Sequence, residues 1–234
     1  MNNVFNHYTL NIFTDASVKK INNETISCSG ALVELNGQIL ETDYNVNRHS
    51  TNNDGEIKAI YLGVLKAIKY RNLIPQLTRI NLFSDSRICV MGLREWIYNW
   101  MNNINGFRMY SSSGQEVANQ DIIIEIIRTI LVNNLSINIL HIKGHVNVNN
   151  VDPKNKHSIV YAKKVYKEIN GLDITIDTIK SLCRYNDIVD NITRPPLDAI
   201  FKNERKCSPV FIYDPRVINL DTYSTLINND RRLV

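Results

Sequence analysis

The 234-residue sequence lacks the features that would place it among disulfide-rich, zinc-finger, secreted or membrane proteins. Its four cysteines lie far apart, with no Cys-x-x-Cys pair and no histidine at zinc-ligand spacing. It has no uncharged apolar stretch of membrane-spanning length, and its first residues lack the basic and apolar regions of a secretory signal. We therefore expect a reduced, soluble, cytoplasmic protein that makes no membrane contact.

A strong charge of one sign is also missing, since 27 Lys and Arg stand against 23 Asp and Glu, a formal net charge of +4. This balance is compatible with a nucleic-acid partner but decides little, because many proteins that bind no nucleic acid share it. Hydrophobic residues make up 44% of the chain and charged residues 21%, which excludes a disordered or fibrous chain. The length favours one main domain with an appendage.

The periodicity of the apolar residues predicts an α/β fold. Alternation from Tyr8 predicts a first strand that runs into Asp15, and Asn36-Gly37 predicts a tight turn between the next two strands. The whole predicted order is β, β, β, α, β, α, α, β. It corresponds to a mixed five-stranded sheet, with an antiparallel meander extended by parallel strands and flanked by helices. The periodicity fades after Pro195-Pro196, and residues 201–234 are predicted to be a tail of unknown role.

Three carboxylates are predicted where elements of this fold begin or end. Asp15 and Asp85 follow predicted strands, and Glu56 opens the first predicted helix. Taken singly, each has an ordinary interpretation as a solvated strand end or a helix N-terminal charge. Carboxylates that converge repel one another unless a cation lies between them, and hard oxygen ligands suit Mg²⁺ or Mn²⁺. Together they would indicate a metal site for phosphoryl transfer.

The short sequences around these acids resemble the type 1 ribonuclease H family, in the same order along roughly residues 8 to 145. The matching segments are Thr14 to Ser17, Ser29 to Ala31, Thr51 to Glu56 with Ala59, Ser84 to Ser86 with the later Trp96, Val117 to Asp121, and Lys143-Gly144-His145. A single short motif would be only a hypothesis, but an ordered set is improbable by chance.

The resemblance implies a ribonuclease H-like fold and an endonuclease that cuts the RNA strand of RNA/DNA hybrids. The family mechanism implies two Mg²⁺ ions, with Mn²⁺ as a substitute, held by Asp15, Glu56, Asp85 and a fourth aspartate. The products would carry 5′-phosphate and 3′-hydroxyl ends. His145 would shuttle a proton or ease product release. No small-molecule cofactor is implied, and we expect a monomer.

The fourth aspartate is displaced relative to the family, because the family spacing after the Gly-His pair falls here on Asn155. The segment from Asn186 to Arg194 resembles the missing motif, so Asp190 is assigned as the fourth ligand. This makes residues from about 146 to 183 an insertion within a catalytic domain of residues 1–200. Two alternatives stay open: Asp152 has taken over the role, or only three carboxylates remain.

The same matching implies a set of substrate-binding residues: Ser17, Thr51, Asn52, Asn53, Trp96 and Asn119. Thr51 and Asn119 resemble the pair that holds a DNA phosphate, while the two asparagines resemble residues that reach the minor groove. Each has an alternative role as a cap, a turn residue or core. The family's basic protrusion is poorly matched, since Arg108 is the only basic residue between Asn99 and Gly114.

Two other functions stay open at this point. One is a nuclease of the same fold that acts on DNA, since a single fold hosts many reactions. The other is a catalytically silent nucleic-acid-binding domain, although clustered acids would gain such a domain nothing beside phosphates.

Overall fold

The first three strands form an antiparallel meander in the computed structural model, which describes residues 8–21, 24–144, 163–164, 166–168 and 175–202. The strands are β1 (Tyr8–Ile21), β2 (Glu24–Leu35) and β3 (Gln38–Asn47). Asn36 and Gly37 adopt φ angles of 52° and 85° between β2 and β3. Both lie in the left-handed region that a tight hairpin turn requires, so the predicted turn is confirmed.

Parallel strands extend this meander into one sheet. The long helix α1 (Asn52–Leu73) leads to β4 (Leu77–Ser84), which pairs in parallel with β1. An irregular helical stretch follows, made of α2 (Arg87–Met91), a π-helical turn (Gly92–Trp96) and α3 (Ile97–Asn102). The remaining elements are β5 (Ile104–Asn105), β6 (Arg108–Met109), α4 (Gln120–Val132), β7 (Asn138–His141) and α5 (Ile176–Lys202).

The main sheet of the described residues has five strands in the order β3-β2-β1-β4-β7. The pairs β1–β2 and β2–β3 are antiparallel, whereas β1–β4 and β4–β7 are parallel. The α/β class and the mixed five-stranded sheet predicted from periodicity are thus confirmed. The small hairpin of β5 and β6 was not predicted, because two-residue strands carry no measurable alternation.

Alternate residues of the central strands point into two separate cores. Leu10 and Ile12 face one core, together with apolar residues of α1, α3 and α4. Phe13 faces the other core, where its ring stacks on Phe83 at 5.0 Å between centroids and α5 covers it through Val189. The central strands are therefore buried on both faces, and the long last helix forms one of the two layers on the sheet.

The prediction that Asp15 ends the first strand is wrong. β1 continues to Ile21 because it stays paired with β2 as far as Ile21↔Glu24. Its parallel pairing with β4, however, stops at Thr14↔Ser84. Asp15 is thus the first residue of β1 beyond the end of β4, which opens space beside its side chain.

The last helix runs through Pro195 and Pro196, where the sequence pattern suggested that regular structure fades. A proline inside a helix removes a backbone hydrogen bond and costs about 3 kcal/mol. Leu197 offsets part of this cost, because it is buried beside Ile26 and Cys28 of β2. The helix also begins at Ile176, so the predicted insertion, drawn to about residue 183, overlaps its first two turns.

The described cysteines Cys28, Cys89 and Cys183 are free and buried, as predicted for reduced thiols. Among the residues that the structure describes, no helix combines the length and apolarity of a membrane span.

Candidate active site

Three carboxylates predicted from separate stretches of the chain meet at the edge where β1 outruns β4. One oxygen each of Asp15, Glu56 and Asp85 lies within 4.8 Å of the others. Asp15 and Glu56 are 4% and 6% exposed, and Asp85 is half-buried. Within the described part of the chain, this is the group of acidic, histidine or cysteine side chains whose geometry suits a metal ion.

Close packing of α1 against the sheet places Glu56 beside Asp15 and Asp85. Thr51 caps the helix, since its hydroxyl accepts a hydrogen bond from the Asp54 N–H at 3.2 Å. A Cβ at Gly55 would lie 2.9 Å from that of Ser27, so only glycine permits this approach. The Ser29 hydroxyl donates to the Gly55 carbonyl at 2.8 Å and fixes the contact.

The loop after β7 lies directly on Asp85. A Cβ built on Gly144 would stand 1.9 Å from Asp85 Oδ2, so any larger residue at this position would have to displace that carboxylate. His141, at the end of β7, places Nε2 3.2 Å from the backbone oxygen of Asp85, and burial lowers the pKa of its imidazole. His141 was not predicted as a site residue; its place at the carboxyl end of a parallel strand is the signal that could have identified it.

The electrostatics of the group are unfavourable in the absence of a cation. Burial, followed by the charges of Asp85 and Asp190, raises the pKa of Asp15 to about 8. Burial, followed by the charges of Asp15 and Asp85, raises the pKa of Glu56 to about 9. Glu56 Oε2 is buried and accepts no hydrogen bond in the structure. A buried oxygen without a donor, beside two further carboxylates, fits a hard divalent cation such as Mg²⁺.

The fourth predicted acid, Asp190, also lies at this site but in a different setting. It is 9% exposed on α5, and its charge contributes to the raised pKa of both Asp15 and Glu56. Its carboxylate accepts hydrogen bonds from Arg194, one turn further along the helix, at 3.0 Å for Nε and closer for Nη2. Asp190 is not part of the group of three.

Gly30 allows α5 to reach the site. It pairs with Asp15 across β1 and β2, and a Cβ there would stand 2.6 Å from Thr193 Cγ2. The Thr193 hydroxyl lies 2.7 Å from that of Ser17, which ties the helix to β1 beyond Asp15. Gly30, Thr193 and Arg194 were not predicted to shape the site, although all three lie within the matched motifs.

The predicted substrate-binding residues occupy several surfaces. Thr51, Asn52 and Asn53 are exposed at the N-terminus of α1, just ahead of Glu56. Trp96 is 40% exposed and packs edge-on against Trp100, with ring centroids 6.0 Å apart. Asn119 precedes α4 in the left-handed conformation, with φ at 56°. Thr51 is thus also a cap, whereas Ser17 is partly engaged by Thr193.

Two predicted residues, His145 and the alternative ligand Asp152, lie outside the described residues. Arg108, the single basic residue of the predicted protrusion, is on β6 and pairs with Glu116 at 3.3 Å and Asp121 at 4.0 Å.

A family model described as RNase H matches residues 7–164, which is more than half of the chain. The chain belongs to the RNase H family. The match spans Asp15, Glu56 and Asp85 and ends ahead of Asp190. The resemblance to type 1 ribonuclease H that the short motifs indicated is therefore confirmed.

Two curated relatives of this RNase H family member cover parts of it. A ribonuclease HI of Haemophilus influenzae is 33% identical over 96 residues, which are 41% of this chain and 54% of the relative. A ribonuclease H of Francisella tularensis subsp. novicida is 30% identical over 110 residues, 47% of this chain and 63% of the relative. The chain thus spans a little over half the length of the curated relatives it matches.

Solved structures with a similar arrangement of elements are distant in sequence. A foamy viral protease-reverse transcriptase in complex with an RNA/DNA hybrid is 16% identical with a TM-score of 0.48, covering 71% of this chain and 20% of that one. LC11-RNase H1, isolated from compost by a metagenomic approach, is 14% identical with a TM-score of 0.45, covering 69% and 97%.

Proposed function

We propose that this RNase H family member is a metal-dependent endoribonuclease that cleaves the RNA strand of RNA/DNA hybrids. The observation that carries the proposal is the convergence of Asp15, Glu56 and Asp85 within 4.8 Å from three different elements. Family membership and the curated relatives named ribonuclease H support this substrate class. The convergence itself supports a phosphodiester as the reacting group.

The three carboxylates, with Asp190 as a fourth, would hold Mg²⁺, or Mn²⁺ as a substitute, in a two-metal site. When bound, the ions would lower the pKa of a water and neutralise charge on the departing 3′ oxygen, leaving 5′-phosphate and 3′-hydroxyl products. Glu56 would orient its unpartnered Oε2 toward a cation. Gly144, lying against Asp85, would limit the positions open to that carboxylate. His145 keeps its predicted role in proton transfer or product release.

Asp190 is preferred to Asp152 as the fourth ligand. Its burial on α5 and its effect on the pKa of Asp15 support this choice, because only a nearby charge has that effect. The catalytic domain would then comprise residues 1–200, with an insertion from about 146 and a tail from 201. A monomeric state and the cytoplasm stay predictions from the sequence.

Hybrid binding would begin at the N-terminus of α1. Thr51, Asn52 and Asn53 are exposed there, and the free N–H groups of a helix start favour phosphate. Their side chains would reach the sugar hydroxyls that distinguish RNA from DNA. Asn119, Ser17 and the exposed ring of Trp96 would extend the surface.

The decisive experiment follows the cleavage of labelled substrates of one sequence: RNA/DNA hybrid, RNA duplex and DNA duplex. We expect cleavage of the RNA strand of the hybrid in Mg²⁺, none after chelation, and recovery when Mg²⁺ is returned. End-labelling and ligation of the products would show whether the ends are 5′-phosphate and 3′-hydroxyl.

Matched variants separate the competing functions. Glu56→Gln should abolish cleavage while hybrid binding persists. Cleavage of the DNA duplex in preference to the hybrid would replace the proposal with a DNA nuclease. Tight hybrid binding by the wild-type protein, with no cleavage under any divalent cation, would replace it with a silent binding domain.

A further inference from the structure

The pairing of Asp190 with Arg194 distinguishes this acid from the other three. Both residues are on α5, one turn apart. The guanidinium Nε donates to Asp190 Oδ1 at 3.0 Å and Nη2 donates to Oδ2. One planar fork therefore engages both oxygens of the carboxylate, the strongest geometry for this pair of groups.

The two side chains differ in exposure. The Asp190 side chain is 13% exposed, whereas that of Arg194 is 54% exposed. The acid is thus fixed within the site while the base extends from it toward solvent. A half-exposed arginine keeps the freedom to turn to another anion, which a buried one would not have.

Cations should distinguish between the two kinds of carboxylate at this site. Asp15, Glu56 and Asp85 offer oxygens to one point, and Glu56 Oε2 has no hydrogen-bond donor. Asp190 has its charge neutralised and its oxygens oriented by Arg194. A guanidinium in that position also repels a metal ion that approaches Asp190.

We propose that Arg194 is a positioning residue that withholds Asp190 from divalent cations until nucleic acid binds. This inference rests on the proposed function. In the substrate-free protein one cation occupies the three-carboxylate group. A backbone phosphate of the hybrid then draws Arg194 away, since guanidinium pairs with phosphate in the same two-point geometry. Asp190 is released and a second cation binds.

The test is calorimetric titration of Mg²⁺ and Mn²⁺ into the full chain without nucleic acid. The wild-type protein should bind one cation per chain in the measurable range. Arg194→Gln should bind a second cation, or bind cations about tenfold more tightly. Arg194→Lys keeps a positive charge without the fork and should fall between them.

Two control variants make the result specific. Arg184→Gln removes the same charge from an exposed position of α5 and should titrate like the wild type. Adding Asp190→Asn to Arg194→Gln should return the protein to one cation, because the gained site needs the carboxylate. Thermal melts of each variant check that the fold is kept.

Several outcomes would overturn the inference. Two equal cation sites in the wild type would do so, as would an unchanged or weaker titration of Arg194→Gln. A wild-type protein that binds no cation at all would instead overturn the proposed metal-dependent nuclease. The two failures are therefore distinguishable.

Discussion

Two acidic clusters of this protein solve the same electrostatic problem in opposite ways. At the candidate active site, Asp15, Glu56 and Asp85 face one another, and burial with mutual repulsion raises the pKa of Glu56 to about 9. Where β3 meets α1, Glu41 is likewise buried in part, which alone would raise its pKa. There, hydrogen bonds from Lys66 and Lys69 outweigh burial and lower the pKa to about 2.

The two clusters differ in the source of the positive charge that balances the acids. Lys66 contacts both Glu41 at 2.8 Å and Asp43 at 2.5 Å, and Lys69 adds a second bond to Glu41 at 2.8 Å. This cluster is complete within the chain and serves stability. The active-site cluster leaves Glu56 Oε2 without a hydrogen-bond donor, so the positive charge that balances these acids has to come from a bound cation. Repelling acids in a folded protein are therefore a sign of function rather than of stability.

The largest difference between the two clusters should appear in activity when one acid of each cluster is neutralised. Asp85→Asn should lower the rate of hybrid cleavage on the order of 10³-fold, because it removes a proposed ligand of the cation that would stabilise charge in the transition state. Glu41→Gln should keep the rate within about twofold, as expected of a surface change far from the site. Initial rates under saturating Mg²⁺ measure both. Asp85→Asn with more than a tenth of wild-type activity would contradict the assignment.

A smaller effect is expected from crowding the site without removing an acid. Gly144→Ala would place a methyl group 1.9 Å from Asp85 Oδ2 and turn the carboxylate aside. We expect cleavage to fall about 10- to 100-fold, the usual range for residues that orient a metal ligand. The free energy of unfolding should change little, since the displaced atoms are the end of one half-buried side chain rather than backbone. Unchanged cleavage kinetics would show that Asp85 needs no such support.

Stability should respond in opposite directions in the two clusters. In metal-free protein, Asp15→Asn should raise the free energy of unfolding on the order of 2 kcal/mol, because it removes a buried, repelled charge. Glu41→Gln should lower it by about 1 kcal/mol, as for a network near the surface. Urea unfolding with a chelator present tests both. Destabilisation by Asp15→Asn would contradict the view that the acids repel.

The pH dependence of stability should have opposite signs in the two clusters. Asp15 and Glu56 have pKa values of about 8 and 9, above their ordinary values of 3.8 and 4.5. The folded state then holds more protons than the unfolded state. The stability of the metal-free protein should therefore fall as the pH rises from the ordinary pKa values to the raised ones, and we call this fall the alkaline slope. The pKa of Glu41 is about 2, against an ordinary value of 4.5. Its stabilising effect should be lost as the pH falls from 4.5 to about 2, and we call this loss the acid slope.

Paired variants assign each slope to its cluster. Glu56→Gln should reduce the alkaline slope to the part that Asp15 contributes and leave the acid slope intact, whereas Glu41→Gln should flatten the acid slope and leave the alkaline slope intact. Saturating Mg²⁺ should also flatten the alkaline slope, because the cation replaces the missing positive charge. A wild-type alkaline slope that survives in both Glu56→Gln and Mg²⁺ would contradict this origin.

Much of the fold could be predicted from local sequence. The turn at Asn36-Gly37 was predicted because positive φ at two successive positions restricts the residue types. The helix that carries Glu56 was predicted because its apolar residues recur with helical spacing. Elements fixed by neighbours elsewhere were not predicted. β1 extends past Asp15 along its pairing with β2, and α5 continues past Pro195 where Leu197 is buried on β2.

By itself, the sequence determined which acids belong to the candidate site, since the short segments around Asp15, Glu56 and Asp85 carry the family pattern. The tertiary structure alone decided how those acids differ. Long-range packing leaves Glu56 Oε2 without a donor and presses Gly144 onto Asp85, and it brings the helix that carries the Asp190–Arg194 pair to the same site. The physical reason is that a carboxylate's charge state depends on burial and on neighbours far away in the chain, which only the fold brings together.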